Sequence, residues 1–313
     1  MQLNSITRNS SFMAMMLAVV IIIVAFVRYS ISPFEVEIAD SPYGDGAMAR
    51  AAAAVMLAIT ALLTGRLASM SGAFKQMCTL SIPLYAVMAC GVALSPDILA
   101  ASVAGLMTLL GLLLMLRNLV VAGQKNAPFF GSLFFGVAAL IYPPCIILGV
   151  VSVVSVLLLA LSLRQAVISL AGWLLPLLMT SYVMWYMGSD FSTLAENFVD
   201  ALSAPRIRIE SVPYGAIALV VVMAVVMVVG AMAHVPQASS LVRMRRAISL
   251  LVVTMALLLA TALLPGCGTA LLPVVAVPAS VLLAYSLYRI PNTLSIALYW
   301  LILVVAIIHI FLE

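Results

Sequence analysis

The stretch FMAMMLAVVIIIVAFV, residues Phe12 to Val27, contains no charged side chain, and similar runs recur along the whole chain. Apolar residues make up 66% of the sequence and charged residues 8%, whereas a soluble domain carries about 25% charged residues. A water-exposed exterior cannot be built from this composition, so lipid must be the solvent for most of the surface. Barrel strands alternate apolar and polar residues, which these continuous runs do not. The sequence therefore predicts an all-α, polytopic transmembrane helical bundle.

The apolar runs predict about eleven spans, within a range of ten to twelve, in a single integral membrane domain covering residues 1–313. The arm Phe129–Ile141 is short for a span of about 20 residues and ends at Tyr142-Pro143-Pro144, so a re-entrant hairpin is the alternative there. No small-residue cleavage site follows Val27, so the first run is predicted to be retained. The predicted spans are Phe12–Val27, Ala47–Thr64, Met77–Leu94, Ile98–Leu116, Phe129–Ile141, Cys145–Leu163, Val167–Met187, Pro213–Ala233, Ile248–Leu264, Thr269–Leu287 and Asn292–Leu312.

Loop charges predict that the N-terminus is cytoplasmic and the C-terminus outside. With that orientation all ten acidic residues fall on the outer side. The bases that fall on the inner side are ten of the fourteen: Arg8, Arg66, Lys75, Arg117, Lys125, Arg164, Arg243, Arg245, Arg246 and Arg289. Because they stand singly or in small groups at the ends of apolar runs, they orient helices and do not indicate nucleic-acid binding.

Two predicted outward loops hold most of the acids. The first, Tyr29 to Arg50, reads YSISPFEVEIADSPYGDGAMAR, and the second extends over residues 188–212. The charged residues of the second loop are Asp190, Glu196, Asp200, Arg206, Arg208 and Glu210. These loops, lying beside apolar spans, are the predicted functional face of the protein.

Four arginines in or beside these loops oppose the orientation rule: Arg28, Arg50, Arg206 and Arg208. The planar guanidinium group suits phosphate and carboxylate groups, so together they predict a site for a lipid-linked anion at the outer interface. The alternative is that Arg28 and Arg50 extend from helix ends and pair with loop carboxylates.

The acidic side chains Glu35, Glu37, Asp40 and Asp45 lie within eleven positions of the first loop. Carboxylates of this kind supply general bases or ligands for a divalent cation, although the spacing E-x-E-x-x-D matches no specific motif. Asp40 and Asp45 flank the turn Ser41-Pro42-Tyr43-Gly44 and are the candidate catalytic residues. A solvated acidic loop that only obeys the orientation rule is the alternative.

Other cofactor and metal signatures are missing from the sequence. It contains no P-loop, dinucleotide fingerprint or HExxH, and Cys78, Cys90, Cys145 and Cys267 form no CxxC pair. Neither a cofactor nor a metal site is predicted.

Prolines 83, 176, 273 and 278 fall within predicted spans, where they indicate either kinks or the broken helices of transporters. No acid or lysine lies at mid-membrane depth, which argues against an ion-driven transporter.

The segment from Leu80 to Asp190 contains LSIPLYAVM, an SPD turn, LLGLLLMLRNL, FFGSLFFGVAALIYPPCIILG and RQAVISLAGWLLPLLMTSYVMW in that order. It resembles a family of Gram-negative bacterial inner-membrane proteins with no assigned function. The resemblance implies a location in the bacterial inner membrane and a role in the cell envelope. In the acidic loop after its first helix, the chain also looks like multi-pass polyprenol-phosphate-sugar glycosyltransferases, although its loop is much shorter.

Three classes of function remain open at this point. The first is the binding of a lipid-linked anionic substrate of the polyprenol-phosphate type, and an enzyme of this class would transfer a glycosyl or phospho group. The second is a non-catalytic subunit that holds a membrane protein partner through smooth helix faces such as Ala51 to Ala54. The third is a transporter or flippase.

Overall fold

The computed structural model describes residues 11–31, 47–70, 79–90, 97–118, 126–160, 162–203, 221–230, 241–263, 269–290 and 292–312. Throughout these ranges the chain is helical, apart from short turns, and it contains no strand. The helices are α1 Ser11–Ile31, α2 Ala47–Met70, α3 Ser81–Cys90, α4 Ile98–Asn118, α5 Ala127–Ile141, α6 Ile147–Ala160, α7 Leu163–Tyr186, α8 Thr193–Ser203, α9 Val221–Gly230, α10 Leu241–Leu263, α11 Leu272–Arg289 and α12 Asn292–Leu312. The all-α prediction is confirmed for the described residues.

Five described helices are long and apolar enough to cross a membrane: Phe12–Tyr29, Ala47–Ser69, Ile98–Leu116, Leu163–Tyr186 and Met244–Thr261. Shorter apolar helices occupy the other predicted spans. The prediction of a helical membrane protein thus agrees with the structure, whereas the count of eleven crossings stays a prediction.

Helix α11 is the centre of the bundle. It contacts α2, α3, α4, α10 and α12, and every residue from Pro273 to Leu287 is buried. Its sequence includes Ala276, Ala279, Ser280, Ala284 and Ser286, whose small side chains let neighbouring helices approach closely. Ser286 also donates a hydrogen bond of 3.2 Å to the carbonyl oxygen of Met227 in α9.

Helices α4 to α7 form a tightly packed unit beside this centre. A Cβ atom added at Gly111 would lie 2.6 Å from the Phe135 ring, and one at Gly131 would lie 2.5 Å from Met115. Gly111 thus meets Phe135, and Met115, later in α4, meets Gly131, earlier in α5. The two helices are therefore antiparallel. The pair α6 and α7 shows the same relation, since Gly149 meets Trp173 while Ser152 meets Ser169.

The predicted break between α5 and α6 is confirmed. Tyr142 is extended (φ −134°, ψ 99°), as a residue before proline prefers, and Pro143–Ile146 forms a single 3₁₀ turn. The carbonyl oxygen of Tyr142 accepts a hydrogen bond from Cys145 at 2.9 Å. Two prolines in succession therefore end one helix and start the next.

Some predicted boundaries are wrong. Arg66 was expected in a connection but lies within α2, Arg164 lies in the first turn of α7, and Arg245 and Arg246 lie in α10. A helix continues past its apolar stretch because a long basic side chain can extend to water from the helical end.

The role expected of the prolines also needs correction. Pro83 and Pro273 lie in the first turns of α3 and α11. The N–H groups of a first turn make no hydrogen bond within the helix, so a proline there removes none. Only Pro176 and Pro278 stand inside described helices.

Candidate functional site

The last turn of α1 and the first turn of α2 bring two of the four predicted anion-binding arginines to the same part of the structure. The guanidinium carbon of Arg50 lies 5.3 Å from the centroid of the Tyr29 ring, and Arg28 precedes Tyr29 in α1. Tyr29 is buried, while Arg28 and Arg50 are half-buried. The contact is a cation–π interaction that orients the Arg50 side chain on a fixed aromatic surface.

This geometry suits the recognition of an anion. A guanidinium group has five N–H donors, so one that contacts a ring face can still donate hydrogen bonds to a phosphate or a carboxylate. Half-burial lowers the local dielectric constant and strengthens the attraction between Arg50 and an anion. The two arginines and Tyr29 are called the arginine pair site below.

The remaining predicted site residues lie outside the described ranges: Glu35, Glu37, Asp40, Asp45, Arg206 and Arg208. The assignment of Asp40 or Asp45 as a base, and of Arg206 and Arg208 as anion ligands, therefore stays a prediction.

The second predicted outward loop contains a helix that was not expected. Helix α8, Thr193–Ser203, turns Phe198 inward, where it is 7% exposed, and leaves Glu196 and Asp200 on the surface. Ser192 donates a hydrogen bond of 2.8 Å to the Glu196 carboxylate, and an acid in the first turn suits the positive end of the helix dipole. The spacing of Leu194, Phe198 and Leu202 was the available signal for an amphipathic helix.

Helix α8 lies against the end of α7 and against the 3₁₀ turn Pro143–Ile146. The turn between α5 and α6 and the C-terminal end of α7 are therefore at the same end of the bundle. Exposed aromatic residues surround that end, among them Tyr182, Trp185 and Tyr186, and the rings of Tyr182 and Trp185 are 5.9 Å apart. Such side chains are enriched where a membrane span meets the polar headgroups.

A cluster of three buried hydroxyl groups joins α5, α6 and α7. The Oγ atoms of Ser132 and Ser169 are 2.5 Å apart, and Ser169 donates to the Oγ of Ser152 at 3.3 Å. Ser152 in turn donates to the carbonyl oxygen of Gly149 at 2.7 Å. Sequence reasoning missed this cluster because single serines are common in membrane helices.

A small cavity lies near the start of α11, against Leu272, Val275 and Ala276. The side chains that line it are all apolar: Met88, Met223, Ala224, Met227, Leu258, Leu272, Val275 and Ala276. Because none of these side chains is charged or forms hydrogen bonds, the cavity offers no ligand to an anion or a cation. Within the described ranges, no three His, Cys, Asp or Glu side chains are placed to hold a metal ion.

Together these features define an all-helical protein with several helices fit to cross a membrane and an arginine-lined helix junction. The chain belongs to the family of unknown function DUF6427, whose sequence profile matches residues 3–313. No curated protein and no solved structure matches the chain. The expected membership of an uncharacterised family is confirmed, with a match over nearly the whole chain. The Gram-negative origin and the inner-membrane location expected for the family stay predictions.

Proposed function

We propose that this chain is a multi-pass protein of the bacterial inner membrane that binds a lipid-linked anionic substrate, of the polyprenol-phosphate type, at its outer face. The observation that carries the proposal is the arginine pair site. Arg50 lies over the Tyr29 ring at a helix end, and Arg28 is the residue before Tyr29, in a chain with only 14 basic residues. An arginine at this position opposes the orientation rule, and its planar guanidinium group suits the binding of a phosphate.

The proposed topology has about eleven spans with the N-terminus in the cytoplasm. Helix α8 supports it, because its acids Glu196 and Asp200 stand at one end of α7 while Arg164 stands at the other. The antiparallel order of α4, α5, α6 and α7 supports it as well, since each of these helices then crosses in the direction opposite to the one before. In this arrangement α5 and α6 cross the membrane in spite of their short length.

A second candidate function is that of a scaffold subunit for another membrane protein. The observation that favours it is α7, in which only 17% of the apolar segment is buried inside the bundle. Its exposed face includes Leu178, Met179, Tyr182 and Val183, and such a face meets either lipid or a neighbouring protein. The transporter alternative has weaker support, because the cavity near the start of α11 is apolar.

The test is native mass spectrometry of the protein in mild detergent after addition of a polyprenol phosphate. We expect Arg28→Ala/Arg50→Ala to weaken binding at least about ten-fold, since a charge-assisted hydrogen bond contributes roughly 1.5–3 kcal/mol. The control is Arg66→Ala, which removes an exposed arginine from the same helix 16 residues away from Arg50, about 24 Å along its axis.

Equal lipid binding by the double variant and by Arg66→Ala would contradict the anionic-lipid proposal. If the parent protein instead retains a stoichiometric protein companion and no polyprenol phosphate, the scaffold function becomes the better description. The variant Arg206→Ala/Arg208→Ala extends the same measurement to the second outward loop.

A further inference from the structure

A line of polar side chains runs along the contact between α6 and α7. Gln165, Ser169 and Trp173 are spaced four residues apart and share one face of α7. Ser152 and Ser155 are three residues apart on α6. We name these five residues, together with Ser132 of α5, the polar seam.

The middle of the polar seam satisfies its own hydrogen bonds. Ser132, Ser169 and Ser152 interact with one another, and the bond from Ser152 to Gly149 completes the chain. All three serines are at most 1% exposed. The middle of the polar seam thus needs no additional partner.

The two ends of the polar seam differ from its middle. The Oγ of Ser155, the Oε1 of Gln165 and the Nε1 of Trp173 are buried and have no hydrogen-bond partner in the described structure. Ser155 as a whole is only 2% exposed. A buried polar atom without a partner costs about 1–3 kcal/mol, and hydrocarbon offers it nothing to bond with. Three such atoms along one helix contact therefore point to a hydrogen-bonding ligand between the helices.

The position of these atoms shows where such a ligand would enter. Since Ser152 meets Ser169 in an antiparallel pair, Ser155 lies opposite the part of α7 next to Gln165. Gln165 is in the first turn of α7, and Ser155 is five residues, or about 8 Å, from the end of α6. Both residues are thus close to the connection between the helices, where Leu163 and Arg164 are exposed.

We propose that the polar seam is a hydrated path, along which water enters between α6 and α7 from the connection at residues 160–163 and reaches the three serine hydroxyls. Water both donates and accepts hydrogen bonds, so it can pair with the oxygens of Ser155 and Gln165, which lie beside this entrance. The indole N–H of Trp173 lies beyond the serines, at the level of Gly149. The hydrated path is independent of the arginine pair site. It lies between helices, whereas the sites predicted from the sequence lie in or beside the loops.

The experiment measures how fast a cysteine placed in the polar seam reacts with methyl methanethiosulfonate, a small reagent that permeates membranes. Only the thiolate reacts, and a thiol ionises in water but not in lipid. The variants are Ser155→Cys and Gln165→Cys. Their controls are Val154→Cys and Val167→Cys, which replace side chains on the outer surface at nearly the same depths. Reaction of the parent chain, with its four cysteines, is subtracted.

We expect Ser155→Cys and Gln165→Cys to react at least about ten-fold faster than their controls, as thiolate formation requires water. Equal rates would overturn the proposal and leave the polar seam as dry helix-to-helix packing. Ser155→Cys changes one atom, so it preserves the packing and decides the question even if Gln165→Cys does not fold.

Discussion

Helices α7 and α11 have similar apolar compositions and each contains a proline, yet they occupy opposite environments. Every residue of α11 between Pro273 and Leu287 is buried, whereas only 17% of the residues of α7 are buried. The difference lies in the number of neighbouring helices. Buried residues occur all round α11, which contacts α2, α3, α4, α10 and α12. In α7 the buried positions are small and fall on one side: Ala166, Ser169, Gly172 and Ser181.

The comparison teaches that position in a membrane bundle is decided by shape more than by hydropathy. Lipid tails are as apolar as a leucine side chain, so burying a leucine against protein gains little from the hydrophobic effect. What a central helix gains is close packing on all sides, and each substitution below tests whether that packing is confined to the buried surfaces.

The largest effect is expected from truncating a leucine in the two helices. Leu283→Ala in α11 leaves a cavity at a fully buried position, and we expect the free energy of unfolding to fall by about 3 kcal/mol. Leu178→Ala in α7 removes a side chain that is 52% exposed, and a change within about 0.5 kcal/mol is expected. Unfolding by sodium dodecyl sulfate in mixed micelles measures both. Similar losses at the two positions would show that α7 is covered by protein on its outer side.

The next effect concerns the one side of α7 that is tightly packed. A Cβ atom at Gly172 would lie 2.3 Å from the carbonyl oxygen of Phe129, which is backbone and cannot rotate away. We expect Gly172→Ala to lower the free energy of unfolding by about 2 kcal/mol, despite the better helix propensity of alanine. The neighbouring variant Ala171→Val adds more volume at an exposed position, and the same unfolding measurement should find it nearly neutral. If Ala171→Val is the more harmful of the two, the packed side of α7 has been misidentified.

The smallest effect separates hydrogen bonds between helices from those within one helix. Ser169 bonds to hydroxyls of α5 and α6, so Ser169→Ala should destabilise the protein by about 1 kcal/mol. Ser280 of α11 is equally buried but donates only to Val277 in its own helix, at 3.1 Å. Because Ser280→Ala breaks no contact between helices, its unfolding curve should overlay that of the parent. If Ser169→Ala has the same free energy of unfolding as the parent protein, the three hydroxyls do not hold the helices together.

The sequence predicted the helices well because each is an apolar run between polar residues, and the break at Tyr142 because two prolines follow it. It did not predict α8, whose acids on one face made the whole segment resemble a solvated loop. It also could not place α11 at the centre, since hydropathy does not distinguish a helix face that contacts lipid from one that contacts another helix.

The candidate site was predictable only in part. The orientation rule singled out Arg28 and Arg50 from charge alone, but the cation–π contact of Arg50 with Tyr29 joins residues 21 positions apart and depends on how α1 meets α2. The polar seam was invisible for the same reason, because Ser132 and Ser169 meet across 37 positions.

The contact between α8 and the 3₁₀ turn Pro143–Ile146 has a consequence for biosynthesis. The turn is made about 50 residues before α8, which corresponds to roughly 3–10 s of translation at 5–20 residues per second. For that interval the α5–α6 hairpin exists with its turn uncovered, and α7 must be in place before α8 can reach it. Because α8 is synthesised after α5, α6 and α7, it can cover the turn only once those three helices have been made.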